Sequence, residues 1–234
     1  MLFRSVVVAA VFRSSLPEAE RLSAEQLVAD LQSRVTRARY VPEVDGIVET
    51  VAREAKEGDV VLVWGGAGGL GSLAIQLVAN AGGRAVAVVS SPEKGEYCKG
   101  LGAVGYVDRT AFSHWGVPPA WDSPEWKTWF DGAKAFGKAI WDVLGEKTNP
   151  RIVFEHPAQD TVPTSNFVCE RGGMIVICAG TTGYDTMIDV RYLWFLQKRY
   201  QVSHLFNDEQ ARAFNDLVRA RKVTTTLEIG RAHV

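Results

Sequence analysis

The stretch VLVWGGAGGLGSLAIQLVANAGG, residues 61–83, decides the fold. A strand-like apolar run leads directly into clustered glycines, and an apolar helical pattern follows. Gly66, Gly68 and Gly71 satisfy the spacing G-x-G-x-x-G in this strand-to-helix context, which gives the spacing its physical meaning. Absent side chains let the backbone approach a pyrophosphate, and the helix dipole stabilises its charge. The stretch therefore predicts a dinucleotide-binding loop made of Gly66, Gly68, Gly69, Leu70 and Gly71.

The same alternation of strand and helix continues on both sides of this loop. Residues 6–58 predict a short β-α-β-α segment, with a helix capped by Ser23 and a second helix stopped by Gly58. Downstream, a helix from about Ser72 to Asn80 is followed by the strand and helix patterns RAVAVVS, PEKGEYCKGLG, VGYVD, RIVFEH and GGMIVICAG. The fold class predicted is α/β, a doubly wound parallel sheet of the Rossmann type.

The composition excludes several classes of function. The 234 residues are 47% hydrophobic and 23% charged, with a formal net charge of -1. This balance is typical of a globular protein and offers no basic field for nucleic acid or anionic lipid. No apolar run is long enough to span a membrane. Three cysteines without metal-ligand spacing predict reduced thiols in the cytoplasm and no metal site.

The end of the next strand bears on the choice between NAD and NADP. An acidic residue there would bond the ribose 2′-hydroxyl of NAD, but the sequence reads Ser90, Ser91, Pro92, Glu93, Lys94. Hydroxyls and a lysine suit the 2′-phosphate of NADP, and Arg109 could reach the same phosphate. Glu93 lies close by, although after Pro92 we expect it to face solvent. A solvated surface charge is the alternative for Lys94.

Further candidates lie at the ends of later strands, where open α/β sheets place their ligands. Glu155, a candidate catalytic residue, and His156, a candidate cofactor contact, could line a nicotinamide pocket or form structural hydrogen bonds. Ala179, Gly180 and Thr181 are expected to approach the nicotinamide through their backbone. Residues 111–129 carry four tryptophans and three prolines. This segment predicts an ordered excursion whose tryptophans either stack on a ligand or pack an irregular lobe.

These residues resemble a known family. The blocks VLVWGGAGGLGS, VVSSPEKGEYCKGLGAVGYVDR, IVFEHPAQDT, RGGMIVICAGTTGY and RYLWFLQKRYQVSHLFN are similar, in order and spacing, to crotonyl-CoA carboxylase/reductases of the medium-chain dehydrogenase/reductase superfamily. The resemblance covers residues 59–227 and implies an NADP-binding domain. It also implies that NADPH reduces an α,β-unsaturated acyl-CoA such as crotonyl-CoA, and that carbon dioxide traps the enolate to give an alkylmalonyl-CoA.

The resemblance also assigns roles and partners. It implies that His204 helps to hold carbon dioxide, whereas a core histidine bonded to backbone is the alternative from the sequence alone. It implies a preceding substrate domain that no part of this sequence resembles, and a homo-oligomer in the intact enzyme. A fragment able to bind NADP and inactive alone is therefore expected.

The first residues resemble something different. Residues 6–58 are similar to the C-terminal domain of a Mur ligase of the type that attaches a tripeptide to UDP-N-acetylmuramate. The terminal strings MLFRS, residues 1–5, and EIGRAHV, residues 228–234, resemble translated sequencing adapters, so these ends are expected to be non-native. A chimera joined near residue 58 is the favoured interpretation, with an evolved fusion as its alternative.

Three other functions fit the sequence. A plain NADPH-dependent enoyl-CoA or quinone reductase would not need His204. A Mur ligase fragment would owe its identity to residues 6–58, but the nucleotide-binding loop of a ligase is not recognisable. An inactive NADP-binding module would bind the nucleotide without turnover.

Overall fold

The structure is a computed structural model that describes residues 6–9, 38–41, 57–202 and 208–224. The chain divides into two units, Met1–Lys56 and Glu57–Val234. In the first unit, strands β1 (Val6–Ala9) and β2 (Ala38–Val41) pair in parallel, with Val6 opposite Ala38. The helices predicted between residues 10 and 58 fall almost entirely outside the described residues.

The second unit is built around a six-stranded sheet in which every described pair is parallel. Its order is β5-β4-β3-β6-β7-β8. The strands are β3 (Val60–Trp64), β4 (Arg84–Val89), β5 (Gly105–Asp108), β6 (Ile152–Glu155), β7 (Met174–Ile177) and β8 (Arg199–Val202). The predicted doubly wound α/β sheet is confirmed.

Helices cover both faces of this sheet. They are α1 (Gly69–Asn80), α2 (Pro92–Gly100), α3 (Pro124–Leu144), α4 (Val162–Val168), α5 (Val190–Trp194) and α6 (Asp208–Arg219). Ile75 of α1 and Cys98 of α2 belong to the core on one face, whereas Phe136 and Ile140 of α3 belong to the core on the other. Because β3 is buried along its whole length, its sequence is continuously apolar rather than alternating.

The start of helix α1 differs from the sequence prediction. Helix α1 begins at Gly69, three residues before the predicted start at Ser72. The first turn contains two glycines, which have a low helix propensity and therefore hid the start from a pattern-based prediction. The second of these glycines, Gly71, packs against the backbone of the loop before the helix. This packing outweighs the low helix propensity of glycine.

Helix α3 was missing from the prediction, which treated this region as an irregular aromatic excursion followed by a strand. The structure has 21 helical residues there, from Pro124 to Leu144. The signals were present in the sequence: Pro124 opens the helix and Gly145, at φ 70°, ends it. Trp129, Ala133, Phe136 and Ile140 repeat at helical spacing and are buried.

Candidate functional site

A cavity of about 560 Å³ lies at the carboxyl ends of the strands and gathers six of the predicted site residues. Those six are Gly68, Ser90, Lys94, Arg109, His156 and Thr181. The other lining residues are Trp64, Gly65, Ala67, Val88, Val89, Trp115, Pro157, Asp160, Thr161 and Thr182. The sheet thus concentrates residues from distant parts of the sequence at its carboxyl edge, as parallel α/β sheets do.

The glycine loop makes a tight turn between β3 and α1. Gly65 adopts φ 57°, and a Cβ there would lie 2.5 Å from Nε2 of His156. A Cβ on Gly71 would lie 2.8 Å from both the carbonyl carbon of Gly65 and Cα of Gly66, and closer still to the oxygen of Gly65. The first turn of α1 therefore packs directly on the backbone of the glycine loop. The N-terminus of α1 faces this loop.

The remaining predicted loop residues have different surroundings. Gly66 lies outside the cavity lining, where a Cβ would come within 2.8 Å of Cβ of Ala87. Its amide donates to the carbonyl of Val88 at 3.1 Å and so holds the loop against β4. Gly69 has open space around it, and the Leu70 side chain is about half exposed. Only Gly68 of these predicted loop glycines lines the cavity.

One end of the cavity is cationic. Lys94 lies in the first turn of α2, and its Nζ donates to Oγ of Ser90 at 3.0 Å. Arg109 begins the 3-10 turn that follows β5 and lines the same cavity. Glu93 is exposed and outside the lining, as expected. This corner therefore combines a hydroxyl with two cations, a set suited to a phosphate.

Ser91, also predicted to bind cofactor, has a structural role in this geometry. Its hydroxyl caps α2 by accepting from the backbone amide of Lys94 at 3.4 Å. A serine that caps a helix in this way satisfies one of the free amides of the first turn. Ser91 lies outside the cavity lining and fixes the helix that carries Lys94.

His156 lies beside the glycine loop at the other end of the cavity. Its Nε2 is 3.0 Å from the carbonyl oxygen of Trp64, so the tautomer that fits carries its proton on Nε2. Burial lowers the pKa of His156 below its usual value. The imidazole is therefore neutral at physiological pH and joins β6 to the end of β3.

Glu155 points into the protein rather than into the cavity. Its side chain is fully buried and accepts hydrogen bonds from Thr161 Oγ1 at 2.6 Å, Ser165 Oγ at 2.5 Å and the amide of Ala158 at 3.2 Å. Ser165 Oγ in turn accepts from Nε1 of Trp64 at 2.8 Å. Of the two roles left open for Glu155, the geometry fits the structural hydrogen bonds, which tie the end of β6 to α4 and β3.

The loops after β6 and β7 are joined to each other. The amide of Thr181 donates to the carbonyl of His156 at 3.1 Å, and the amide of Thr182 donates to that of Pro157 at 2.9 Å. The hydroxyl of Thr182 accepts from the amide of Asp160 at 3.1 Å. Thr181 lines the cavity, whereas Ala179 and Gly180 do not. These hydrogen bonds hold together the two loops that carry His156 and Thr181.

His204 lies outside the described residues, and its predicted role stays a prediction. Sequence reasoning also missed several lining residues. Trp64, Asp160 and Thr161 were not singled out, and Trp115 was considered only as one of four tryptophans. The position of Trp64 at the last residue of β3 was the available signal, because strand ends face the ligand edge of such sheets.

Two features that the described residues lack bear on the kind of site. Among the described residues, no group of three or more His, Cys, Asp or Glu side chains is placed to hold a metal ion. Within the same ranges, no helix is both long enough and apolar enough to cross a membrane.

Comparison with known proteins identifies relatives of this chain. The chain is 49% identical, over 73% of its length, to a crotonyl-CoA carboxylase/reductase of Cereibacter sphaeroides, of which it covers 40%. It is 41% identical over 174 residues to a crotonyl-CoA reductase of Streptomyces collinus, of which it covers 37%. The chain therefore spans about two fifths of the length of these relatives.

Solved structures give the same result. The crotonyl-CoA carboxylase/reductase AntE in complex with NADP superposes with a TM-score of 0.71 at 52% identity, covering 72% of this chain and 42% of AntE. The 2-octenoyl-CoA carboxylase reductase CinF, in complex with NADP and 2-octenoyl-CoA, gives 0.64 at 36% identity over 74% of this chain and 37% of CinF. The sequence profile described as zinc-binding dehydrogenase matches residues 69–220. The chain, which is similar to crotonyl-CoA carboxylase/reductases, therefore belongs to the zinc-binding dehydrogenase family.

Proposed function

We propose that this chain carries the NADP-binding part of an NADPH-dependent enoyl-CoA carboxylase/reductase. The observation that carries the proposal is that Ser90, Lys94 and Arg109 line one cavity together with Gly68 of the glycine loop, and that Lys94 Nζ lies 3.0 Å from Ser90 Oγ. A dinucleotide with an additional phosphate on its adenosine ribose matches this set of side chains, since two cations and a hydroxyl form charge-assisted hydrogen bonds with a phosphate. An NAD site would place a carboxylate at the end of β4 instead.

The residues present fit this cofactor. The turn at Gly65 and the backbone contact at Gly71 leave no space for side chains. Such a cradle lets a pyrophosphate approach the backbone at Gly68 and the amides that begin α1. Ser90, Lys94 and Arg109 would hold the 2′-phosphate. When bound, NADPH would supply the hydride for the reduction.

The opposite end of the cavity would take the nicotinamide. His156 is held neutral by burial, and its Nε2 is engaged by the Trp64 carbonyl. A neutral imidazole adds no positive charge beside the ring. Thr181 and Thr182 are tied to the loop after β6 and close this end. These residues would orient the ring and exclude water, which protects a reactive intermediate on the substrate.

The substrate is inferred from the named relatives. AntE and the Cereibacter sphaeroides protein are crotonyl-CoA carboxylase/reductases, and CinF carries a 2-octenoyl-CoA. We therefore propose reduction of an α,β-unsaturated acyl-CoA. Hydride addition to the β-carbon makes the α-carbon nucleophilic, and bond formation to carbon dioxide there gives an alkylmalonyl-CoA. We also propose His204 as the side chain that helps to hold carbon dioxide.

Charge reversal at Lys94 tests the cofactor assignment. Lys94→Glu is expected to weaken NADPH binding by about a hundredfold, because it removes one charge-assisted contact and places a carboxylate beside the 2′-phosphate. Binding of NADH, which has no 2′-phosphate, should change by less than about threefold. The measurement is a fluorescence titration of both nucleotides.

Lys99→Glu is the matched control for this change. Lys99 lies on the same helix, pairs with Glu96 at 2.8 Å and is outside the cavity lining. The control variant should bind NADPH like the unaltered chain. Equal weakening of NADPH and NADH in Lys94→Glu, or no preference for NADPH in the unaltered chain, would contradict the assignment.

A graft tests the activity. Residues 59–227 would replace the matching part of the Cereibacter sphaeroides enzyme, which would then be assayed with crotonyl-CoA, NADPH and bicarbonate. We expect ethylmalonyl-CoA as the main product by mass spectrometry, with one NADPH oxidised per product. A His204→Ala version should divert product towards butyryl-CoA, which forms when a proton replaces carbon dioxide. Butyryl-CoA as the only product of the unaltered graft would refute carboxylation and leave plain reduction.

A further inference from the structure

Trp115 is the residue through which the aromatic excursion reaches the cofactor cavity. It lies six positions after Arg109 and lines the same cavity. The sequence left open whether the tryptophans of residues 111–129 stack on a ligand or pack a lobe. The structure separates them: Trp115 lines this cavity, whereas Trp121, Trp126 and Trp129 do not.

The indole of Trp115 is held in a fixed orientation by other rings. Its centroid is 5.5 Å from that of Trp64 and 5.4 Å from that of Phe136, both at 84°. The ring of His114 lies 4.4 Å away. Trp64 and Phe136 belong to the buried core of the sheet. An aromatic ring held in this way presents surface to a ligand at little further cost in conformational entropy.

A backbone hydrogen bond connects the residue after Trp115 to another lining residue of the cavity. The amide of Gly116 donates to the carbonyl of Asp160 at 2.8 Å, and Asp160 is itself a lining residue. Asp160 is bonded in turn to Thr182. The aromatic excursion and the loops after β6 and β7 therefore form one connected rim.

The order of groups in the ligand matches the order of residues in the segment that follows β5. In NADP the 2′-phosphate and the adenine base are carried by the same ribose, so a base must lie within one sugar of the phosphate. Arg109 and Trp115 stand at the two ends of a single seven-residue segment that starts at β5. Val88 and Val89, at the end of β4, add apolar surface to the lining between Ser90 and the glycine loop.

We infer that the indole of Trp115 contacts the adenine base of the bound dinucleotide and supplies a large part of the affinity for its adenosine half. This inference rests on the proposed function. Aromatic side chains bind bases through dispersion and stacking, which require no hydrogen bond to the base. Trp115 is then a binding residue for the adenosine half of the cofactor, with no contact expected to the nicotinamide.

The test uses the two halves of the cofactor as separate probes. In Trp115→Leu, binding of 2′,5′-ADP should weaken at least about tenfold, the range found when an aromatic base contact is removed. Binding of reduced nicotinamide mononucleotide should stay unchanged. Trp115→Phe, which keeps a ring, should recover part of the loss. Isothermal titration calorimetry measures all these affinities.

Trp121→Leu is the matched control, because Trp121 lies in the same excursion but is 68% exposed and outside the lining. It should bind 2′,5′-ADP like the unaltered chain. A parallel titration with 3′,5′-ADP, the adenosine phosphate of coenzyme A, distinguishes the two adenosine sources. We expect it to bind more weakly than 2′,5′-ADP, and tighter binding would overturn the assignment to NADP.

The remaining outcomes separate this inference from the proposed function. Normal 2′,5′-ADP binding in Trp115→Leu would overturn the inference alone. Equal losses for both cofactor halves, with no recovery in Trp115→Phe, would show a structural role instead and overturn it as well. If the unaltered chain bound neither 2′,5′-ADP nor NADPH, the proposed function would fail and the inference with it.

Discussion

Replacing Gly71 with alanine is expected to abolish NADPH binding, with a loss of at least about a hundredfold in affinity. The added Cβ would overlap the backbone of Gly65 and Gly66, with 2.8 Å to Cα of Gly66. Backbone atoms cannot rotate away as a flexible side chain can, so α1 must shift relative to the loop. Forced overlap of this kind costs roughly 3 kcal/mol of stability. Fluorescence titration and urea unfolding measure the two effects.

Gly69→Ala is the control for this substitution. Gly69 lies two positions earlier in the same helical turn, and a Cβ there would have nothing within 4 Å. Alanine also has a higher helix propensity than glycine, by about 1 kcal/mol in a helix interior. The control should therefore bind NADPH normally and be at least as stable. NADPH binding by Gly71→Ala within about threefold of the unaltered chain would contradict the proposed cradle.

The second large effect is expected in the pH dependence of stability. Burial raises the pKa of Glu155 from the usual 4.5 to about 7. The folded protein then retains a proton that the unfolded chain releases as the pH rises above 4.5. The protonated Glu155 carboxyl therefore contributes fully to the stability of the fold below pH 4.5, and this contribution is lost as the pH rises to 7. The loss is roughly 3 kcal/mol in the free energy of unfolding.

Glu155→Gln tests this expectation because the amide cannot ionise. Its free energy of unfolding should vary much less between pH 4.5 and 7 than that of the unaltered chain. All seven tryptophans lie between Trp64 and Trp194, so tryptophan fluorescence in urea follows the second unit selectively. Glu93→Gln removes an exposed carboxylate and should keep the pH dependence of the unaltered chain. An unchanged pH dependence in Glu155→Gln would show that another group causes it.

The sequence predicted those features that local patterns encode. The apolar run before Gly66 and the helical spacing after Gly71 identified the first strand, the turn and the helix. Ser90, Lys94 and Arg109 followed from the position of strand ends, because a parallel sheet brings such ends to one edge. The structure places these three residues in one cavity. Local chemistry and a simple topological rule were sufficient to predict that these residues lie together, and their contact with the cofactor stays a prediction.

Other features depend on long-range packing. The hydrogen bonds from Asp160 to Gly116 and to Thr182 join loops that are far apart in sequence, so no local sequence pattern predicts them. The direction of Glu155 was recoverable: strand alternation gives it the same face as Val153, which is buried against α3 and α4. Helix α3 was predictable as well from its apolar spacing, but the prolines and tryptophans at and before its start are typical of irregular structure.

The sheet order has a consequence for how the protein is made. Strand β3 pairs on one edge with β4, which follows 20 positions after Trp64, and on its other edge with β6, which begins 88 positions after it. Ribosomes add about 5 to 20 residues per second, so the edge of β3 that pairs with β6 stays unpaired for roughly 5 to 20 s of synthesis. The exposed edge is a valine-rich row of free amides and carbonyls, to which a neighbouring nascent chain can pair. Expression at lower temperature or with holdase chaperones should therefore raise the yield of properly assembled protein.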